Sequence, residues 1–168
     1  YYNVAAGEKI ARVSANMAMA ADMEVRASST ATTGAYSSAC QRGLPAILME
    51  RGGGGRFTDS EIQAYKRDVK NIMIRMGLLS GEEVHTVQQK NVTRAEYLEA
   101  GTDGLWYPVF SAGDTFAGGA VLGTVRDIWG NLLREYRADY PGIVLYQTVG
   151  LGVKAGDPLI AYGEYVDR

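Results

Sequence analysis

The chain has 168 residues, enough for one ordinary domain or two small ones. Its 46% hydrophobic and 21% charged residues are those of a globular protein, and a formal net charge of -2 gives no reason to expect nucleic acid or an anionic membrane as partner. One cysteine, Cys40, excludes an intrachain disulfide and makes a reducing, cytoplasmic compartment the expectation.

No apolar run approaches a membrane span, and no signal peptide is visible at the start. The chain begins with Tyr1 instead of Met, directly into a helical pattern, which points to a fragment or a processed chain. Ile10, Val13, Met17 and Ala20 or Ala21, spaced three to four apart, predict an amphipathic helix over Val4 to Asp22. Met23 to Arg26 reads as a short strand and Ala27 to Thr33 as a polar loop. A short helix is expected from Gly34 to Arg42, with Gly43 as a left-handed stop. Leu44-Pro-Ala-Ile-Leu-Met-Glu50 is a continuous apolar run of the kind found in a strand buried on both faces of an α/β sheet. The glycine-rich turn Arg51 to Arg56 follows. Thr58-Asp-Ser-Glu61 is a capping-box signature for a second long helix, with Ile62, Tyr65, Val69, Ile72, Met73 and Met76 as its buried stripe and Gly77 as its end.

After Leu79 the pattern changes to short alternating stretches bounded by glycine: Val87–Val92, Leu105–Phe110, Ala120–Val125, Leu132–Tyr136, Gly142–Val149 and Leu159–Tyr162. Two turns share chemistry, Ser111-Ala-Gly-Asp114 and Lys154-Ala-Gly-Asp157, which predicts a degenerate internal repeat in a small β sandwich or barrel. The organisation expected is an α/β part over residues 1–79 and an all-β part over residues 80–168, with the seam near residues 78 to 86.

Glu50 stands where open α/β sheets place their ligand crevice, at the carboxyl end of the expected central strand, and a carboxylate there can act as general base on a bound water. The alternative is a strand-end glutamate paired with Arg51 or Arg56. The glycines after it could cradle an anion at a helix N-terminus, but the Gly-Lys-Ser/Thr ending of a P-loop is absent. His85, the only histidine, lies in a polar loop, and with Cys40 it cannot make an ordinary zinc site. No Gly-x-Ser-x-Gly elbow occurs. The methionines read as core filler. On its own residues the chain assembles no complete active site.

Gly34-x-Tyr36, Gly43-Leu-Pro-Ala-Ile-Leu-Met-Glu50-Arg-Gly-Gly-Gly-Gly55 and a capped helix ending Arg75-Met-Gly-Leu-Leu79 together resemble the succinylglutamate desuccinylase/aspartoacylase family, where a "G-I-P-A-x-T-x-E-x-G-G" segment precedes a helix ending "L-G-x-L". Gly113-Asp114, Gly118, Leu122-Gly123, Asp127, Gly130, Gly142 to Leu145 and Gly156-Asp157 resemble the lipoyl-like β domain that follows the catalytic core in bacterial members. The resemblance implies the C-terminal part of a zinc carboxypeptidase-like α/β domain followed by a lipoyl-like β sandwich or barrel domain. It implies a zinc-dependent hydrolase acting on the amide bond of a small-molecule N-acyl amino acid, with zinc lowering the pKa of a water and Glu50 as general base and acid. Homo-oligomers are common in that family, and a homo-oligomer is expected here.

Tyr36 matches a substrate-pocket tyrosine of aspartoacylases. The arginine those enzymes carry four residues later is Cys40 here; Arg42 is the candidate replacement, aimed differently, which argues against an aspartate-type substrate. The family's zinc ligands, a His-x-x-Glu pair and a later histidine, lie upstream of the matched region and do not occur in this sequence, so the upstream half of the catalytic domain is an implied partner. Without that half, the Leu44–Met49 segment should expose an apolar face or edge. A second reading is a non-catalytic binding or assembly module. A carrier role would need a modified lysine, and the β half offers only Lys90 and Lys154.

Overall fold

The computed structural model describes residues 1–167; Arg168, the last residue of the expected β part, lies outside them. The chain divides into two compact units, Tyr1–Asn91 and Val92–Val166. The expected seam near residues 78 to 86 therefore falls inside the first unit.

In the first unit, strand β1 (Tyr2–Asn3) pairs in parallel with β2 (Val25–Ser29). Helix α1 (Glu8–Ala20) begins after Gly7, whose φ of 87° is open to glycine without the steric cost of a Cβ. Its fully buried positions are Ser14, Ala18 and Ala20, small side chains that allow close approach, while Ile10, Val13 and Met17 are half-buried. Helix α2 (Ala35–Gln41) ends as expected at Gly43, φ 84°, with Leu44 N–H bonded back to the Ala39 carbonyl at 3.0 Å.

Two expectations are corrected here. Leu44–Met49 is not a buried strand: it makes one isolated antiparallel bridge, Ile47 to Tyr2, and Leu44 is 63% exposed. A strand buried on both faces needs neighbours along both edges and a layer over each face. Among the described residues its edge partners are Tyr1 and Tyr2, with Leu48 N–H donating to the Tyr1 carbonyl at 3.0 Å. The exposed apolar edge expected for it is present, through Leu44 and Leu48.

Helix α3 (Asp59–Arg75) starts at Thr58 with a complete capping box and ends at Gly77. Its buried face, however, is Ala64, Asp68 and Asn71, whereas Val69, Met73 and Met76 from the expected stripe are exposed. Asp68 faces inward because two N–H groups of Arg51 and the Asp22 backbone amide donate to it there. Asn71 faces inward because its side-chain amide donates to the Val84 carbonyl at 2.8 Å and accepts from Val84 N–H at 3.0 Å. Arg67 and Arg75 of the same helix pair with Asp22 and Glu83.

The second unit holds two sheets. Strands β3 (Lys90–Glu99, which begins at the end of the first unit), β10 (Pro158–Asp167), β8 (Gly142–Gln147) and β5 (Thr115–Phe116) follow one another in one sheet. Strands β7 (Leu132–Arg137), β6 (Val121–Arg126), β4 (Gly104–Pro108) and β9 (Gly152–Val153) form a separate antiparallel sheet. Trp106, Leu122, Val125 and Tyr136 from the second sheet share one apolar cluster with Phe116, Val144, Leu159, Ile160 and Tyr162 from the first, so the unit is a β sandwich.

The two related turns are superimposable in their bonding. Asp114 Oδ2 accepts from Ser111 N–H at 2.8 Å, and Asp157 Oδ2 accepts from Lys154 N–H at 2.8 Å. Gly113 (φ 91°) donates to the Val144 carbonyl at 2.9 Å and Val144 N–H donates to the Asp114 carbonyl at 2.9 Å; Gly156 (φ 89°) and Asp157 exchange the same pair of bonds with Ala100, each at 2.8 Å. No helix among the described residues is long and apolar enough to cross a membrane.

Candidate functional site

Glu50 ends the Leu44–Met49 segment, and its side chain is exposed. The pairing with Arg51 or Arg56 that would make it a structural residue is absent among the described residues. Arg51 turns instead to helix α3, donating from Nε to Asp68 Oδ2 at 2.7 Å and from Nη2 to Asp68 Oδ1 at 3.0 Å, with a further bond from Nη2 to the Asp22 carbonyl at 2.7 Å. This two-toothed bond to Asp68, more than the opposing burial, raises the Arg51 pKa above its ordinary value.

Asp22 is the second anchor beneath this region. Burial by itself would raise its pKa, but hydrogen bonds from the Thr86 hydroxyl and amide, the Val87 amide and Arg67 outweigh that and hold it at about 2. Asp22 and Asp68 side chains are both fully buried, and Asp68 Oδ1 also accepts Asp22 N–H at 2.7 Å. Two buried carboxylates, two arginines and a ring of amides thus tie the end of α1, the middle of α3, residues 84–89 and the Glu50 segment together. Reading along the sequence missed this network, although Ala64, Asp68, Asn71 and Arg75 share one face of α3 and marked it as polar.

The glycine turn after Glu50 carries positive φ at Gly52, Gly54 and Gly55. The helix N-terminus that follows it is already engaged: Glu61 Oε2 accepts Thr58 N–H at 2.7 Å, and a Cβ at position 52 would lie 3.1 Å from Glu61 Oε1. The helix's own carboxylate occupies the place an anion would take.

Tyr36 is half-buried in the first turn of α2, and Arg42 is exposed at that helix's end. Cys40 points the other way: it is fully buried, 3.6 Å from Ser14 Oγ and 3.5 Å from the Ala46 carbonyl. Position 40 is a packing position here, and Arg42 does not share its direction. No hydrogen bond links Tyr36, Arg42 and Glu50 to one another among the described residues.

The described residues do not fit the zinc that the resemblance implies: no three His, Cys, Asp or Glu side chains come together as a ligand group. His85 is tied to Glu83 at 2.9 Å on the surface.

The sequence matches no protein-family model. It is 27% identical over 127 residues to the N-alpha-acetyl-L-2,4-diaminobutyric acid deacetylase of Halomonas elongata, a match covering 72% of this chain and 37% of that protein. The product-bound ectoine utilization protein EutE (DoeB) of Ruegeria pomeroyi superposes with a TM-score of 0.85 at 22% identity, over 97% of this chain and 52% of that one. The apo form of the same protein gives 0.78 at 25% identity, over 92% and 51%. A succinylglutamate desuccinylase/aspartoacylase from Rhodobacter sphaeroides gives 0.79 at 21% identity, over 99% and 53%.

A mixed α/β unit followed by a β sandwich is therefore the architecture of one half of a deacylase-type chain, and this chain spans about half the length of the solved relatives it matches. In fold the chain matches one half of solved succinylglutamate desuccinylase/aspartoacylase chains, and in sequence it is similar to a deacetylase of an N-acetylated amino acid.

Proposed function

We propose that these 168 residues are the part of a zinc-dependent deacylase that carries its general base, and that the complete protein hydrolyses the amide bond of a small N-acyl amino acid. The observation that carries this reading is the exposed Glu50 carboxylate, free of the neighbouring arginines, in a chain homologous to a deacetylase of an acetylated amino acid. Glu50 takes a proton from the attacking water as the new C–O bond forms, and returns it to the nitrogen as the C–N bond breaks. Tyr36 and Arg42 contribute to the substrate pocket. The metal ligands lie in chain outside these residues, as an upstream half of the catalytic domain. Product-bound EutE (DoeB) supports a small-molecule substrate. The β sandwich is of lipoyl-like type, and a cytoplasmic setting suits the free thiol of Cys40.

The test is Glu50→Gln in the complete protein. Turnover of N-acetylated amino acids should fall about 10²- to 10⁴-fold with metal content unchanged. Near-normal turnover would remove Glu50 from the reaction.

A second reading, an assembly role for the β sandwich, is favoured by one feature. Ile128 and Trp129 sit 76% and 82% exposed on the β6–β7 turn, which Asp127 locks by accepting from Trp129 N–H at 2.8 Å and Asn131 N–H at 2.9 Å. A rigid turn presenting an indole to solvent is the kind of anchor found at interface centres. Trp129→Ser should shift the oligomeric state in sedimentation while leaving the melting point unchanged; an unaltered state would dismiss this role.

A further inference from the structure

Resting on the assignment of Glu50 as base, we infer that Tyr65 and Asp68 are its positioning residues, acting through the backbone on either side of it. The Tyr65 hydroxyl accepts Arg51 N–H at 2.8 Å and donates to the Met49 carbonyl at 3.4 Å. Those two groups belong to the two peptide planes that flank Glu50. One hydroxyl thus closes a small ring around this residue and fixes both of its backbone torsions, since each peptide plane is rigid.

Asp68, one turn further along α3, holds the Arg51 side chain by two bonds at 2.7 and 3.0 Å, and the guanidinium lies 5.9 Å from the Tyr65 ring centre. Successive side chains of an extended chain point to opposite sides, so drawing Arg51 inward leaves Glu50 facing out. The need for such a clamp is local. Four glycines follow Arg51, three of them at positive φ, and a glycine run cannot by itself aim a carboxylate. On the other side, the Leu44–Met49 segment has a single bridge. The rigid element beside Glu50 is α3, and Tyr65 and Asp68 are the side chains through which it reaches the segment.

The experiment is Tyr65→Phe in the complete protein, alone and combined with Glu50→Gln. Phenylalanine keeps the ring and its packing and removes only the hydroxyl. The expected result is a fall in kcat of about 10- to 100-fold with KM and metal content little changed, because a base displaced by a fraction of an ångström is costly to chemistry and not to binding. In the Glu50→Gln background the same change should have no further effect on kcat, since there is no base left to misplace. Losses that multiply across the two variants, or a Tyr65→Phe enzyme of normal kcat, would overturn the positioning role. The base assignment is judged separately by Glu50→Gln alone. A second variant, Arg51→Lys, keeps the charge near Asp68 and loses the fork; it should also lower kcat, and a wild-type value would show that Asp68 does not act on Glu50 through Arg51.

Discussion

The six-membered ring of Trp106 lies against Gly123 on the neighbouring strand, so close that a Cβ at position 123 would come within 2.3 Å of the indole Cη2. Trp106 is 2% exposed and meets Tyr136 edge-on at 5.7 Å. The glycine is thus part of the tryptophan's binding slot in the sandwich core, and its backbone freedom is incidental.

Gly123→Ala should therefore displace the indole and destabilise the β sandwich by about 1–3 kcal/mol, the usual cost of overpacking. Trp129 is exposed, so the measurement is best made with Trp129→Phe as background. A red-shifted Trp106 emission and an earlier urea midpoint are expected.

Asp22 gives a pH dependence of defined sign. Its pKa in the fold is about 2, below the ordinary 3.8, so the unfolded chain binds its proton first. Its contribution to stability is complete above about pH 4 and disappears as pH falls toward 2. Asp22→Asn should cost about 2 kcal/mol at neutral pH, because the Thr86, Val87 and Arg67 donors lose their carboxylate. Urea melts of both proteins between pH 5 and 2 should show the gap closing with acid; a constant gap would count against the depressed pKa.

Thr58→Ala removes the acceptor of Glu61 N–H and one side of the capping box. A loss of about 1 kcal/mol is expected, with the Thr58→Ser change nearly neutral. Equilibrium denaturation monitored by helical circular dichroism measures both.

Asp114→Ala and Asp157→Ala each delete a carboxylate that accepts one turn amide at 2.8 Å. If the turns are equivalent, the two changes cost the same, about 0.5–1.5 kcal/mol apiece. Unequal losses beyond that range would separate them.

What could be read from the sequence was what is decided locally. Thr58 and Glu61 lie three apart and satisfy each other; Gly43 and Gly77 end helices by conformation; the Ala-Gly-Asp turns carry their own acceptor. What could not be read depends on partners far along the chain. Asp68 sits inside because Arg51 and the Asp22 amide reach it, and Asn71 because Val84 folds back, so α3 has its polar face inward and Val69, Met73 and Met76 outward. The apolar run at Leu44–Met49 has a strand's composition, but a strand exists only where neighbours supply its hydrogen bonds. The site divides the same way. Glu50, the proposed base, stands out through its motif, whereas the Tyr65 hydroxyl bonded to the backbone on either side of it comes from a helix whose pattern reads as ordinary.

The paired turns of the sandwich have a kinetic consequence. The first turn, at Gly113 and Asp114, is closed by Val144 on β8, the fourth strand after it; the second, at Gly156 and Asp157, is closed by Ala100, near the start of the unit. Each turn thus waits for a residue distant in sequence, and the second cannot complete its bonds until nearly the whole unit has been synthesised. Such interlocked, distant contacts give slow folding with a single transition, since the loop entropy is spent before any contact returns it. A chain cut after Gly150 would lose the second turn outright, and with it Leu159, Ile160 and Tyr162 from the apolar cluster, leaving the first turn attached to a sheet whose inner face is partly stripped.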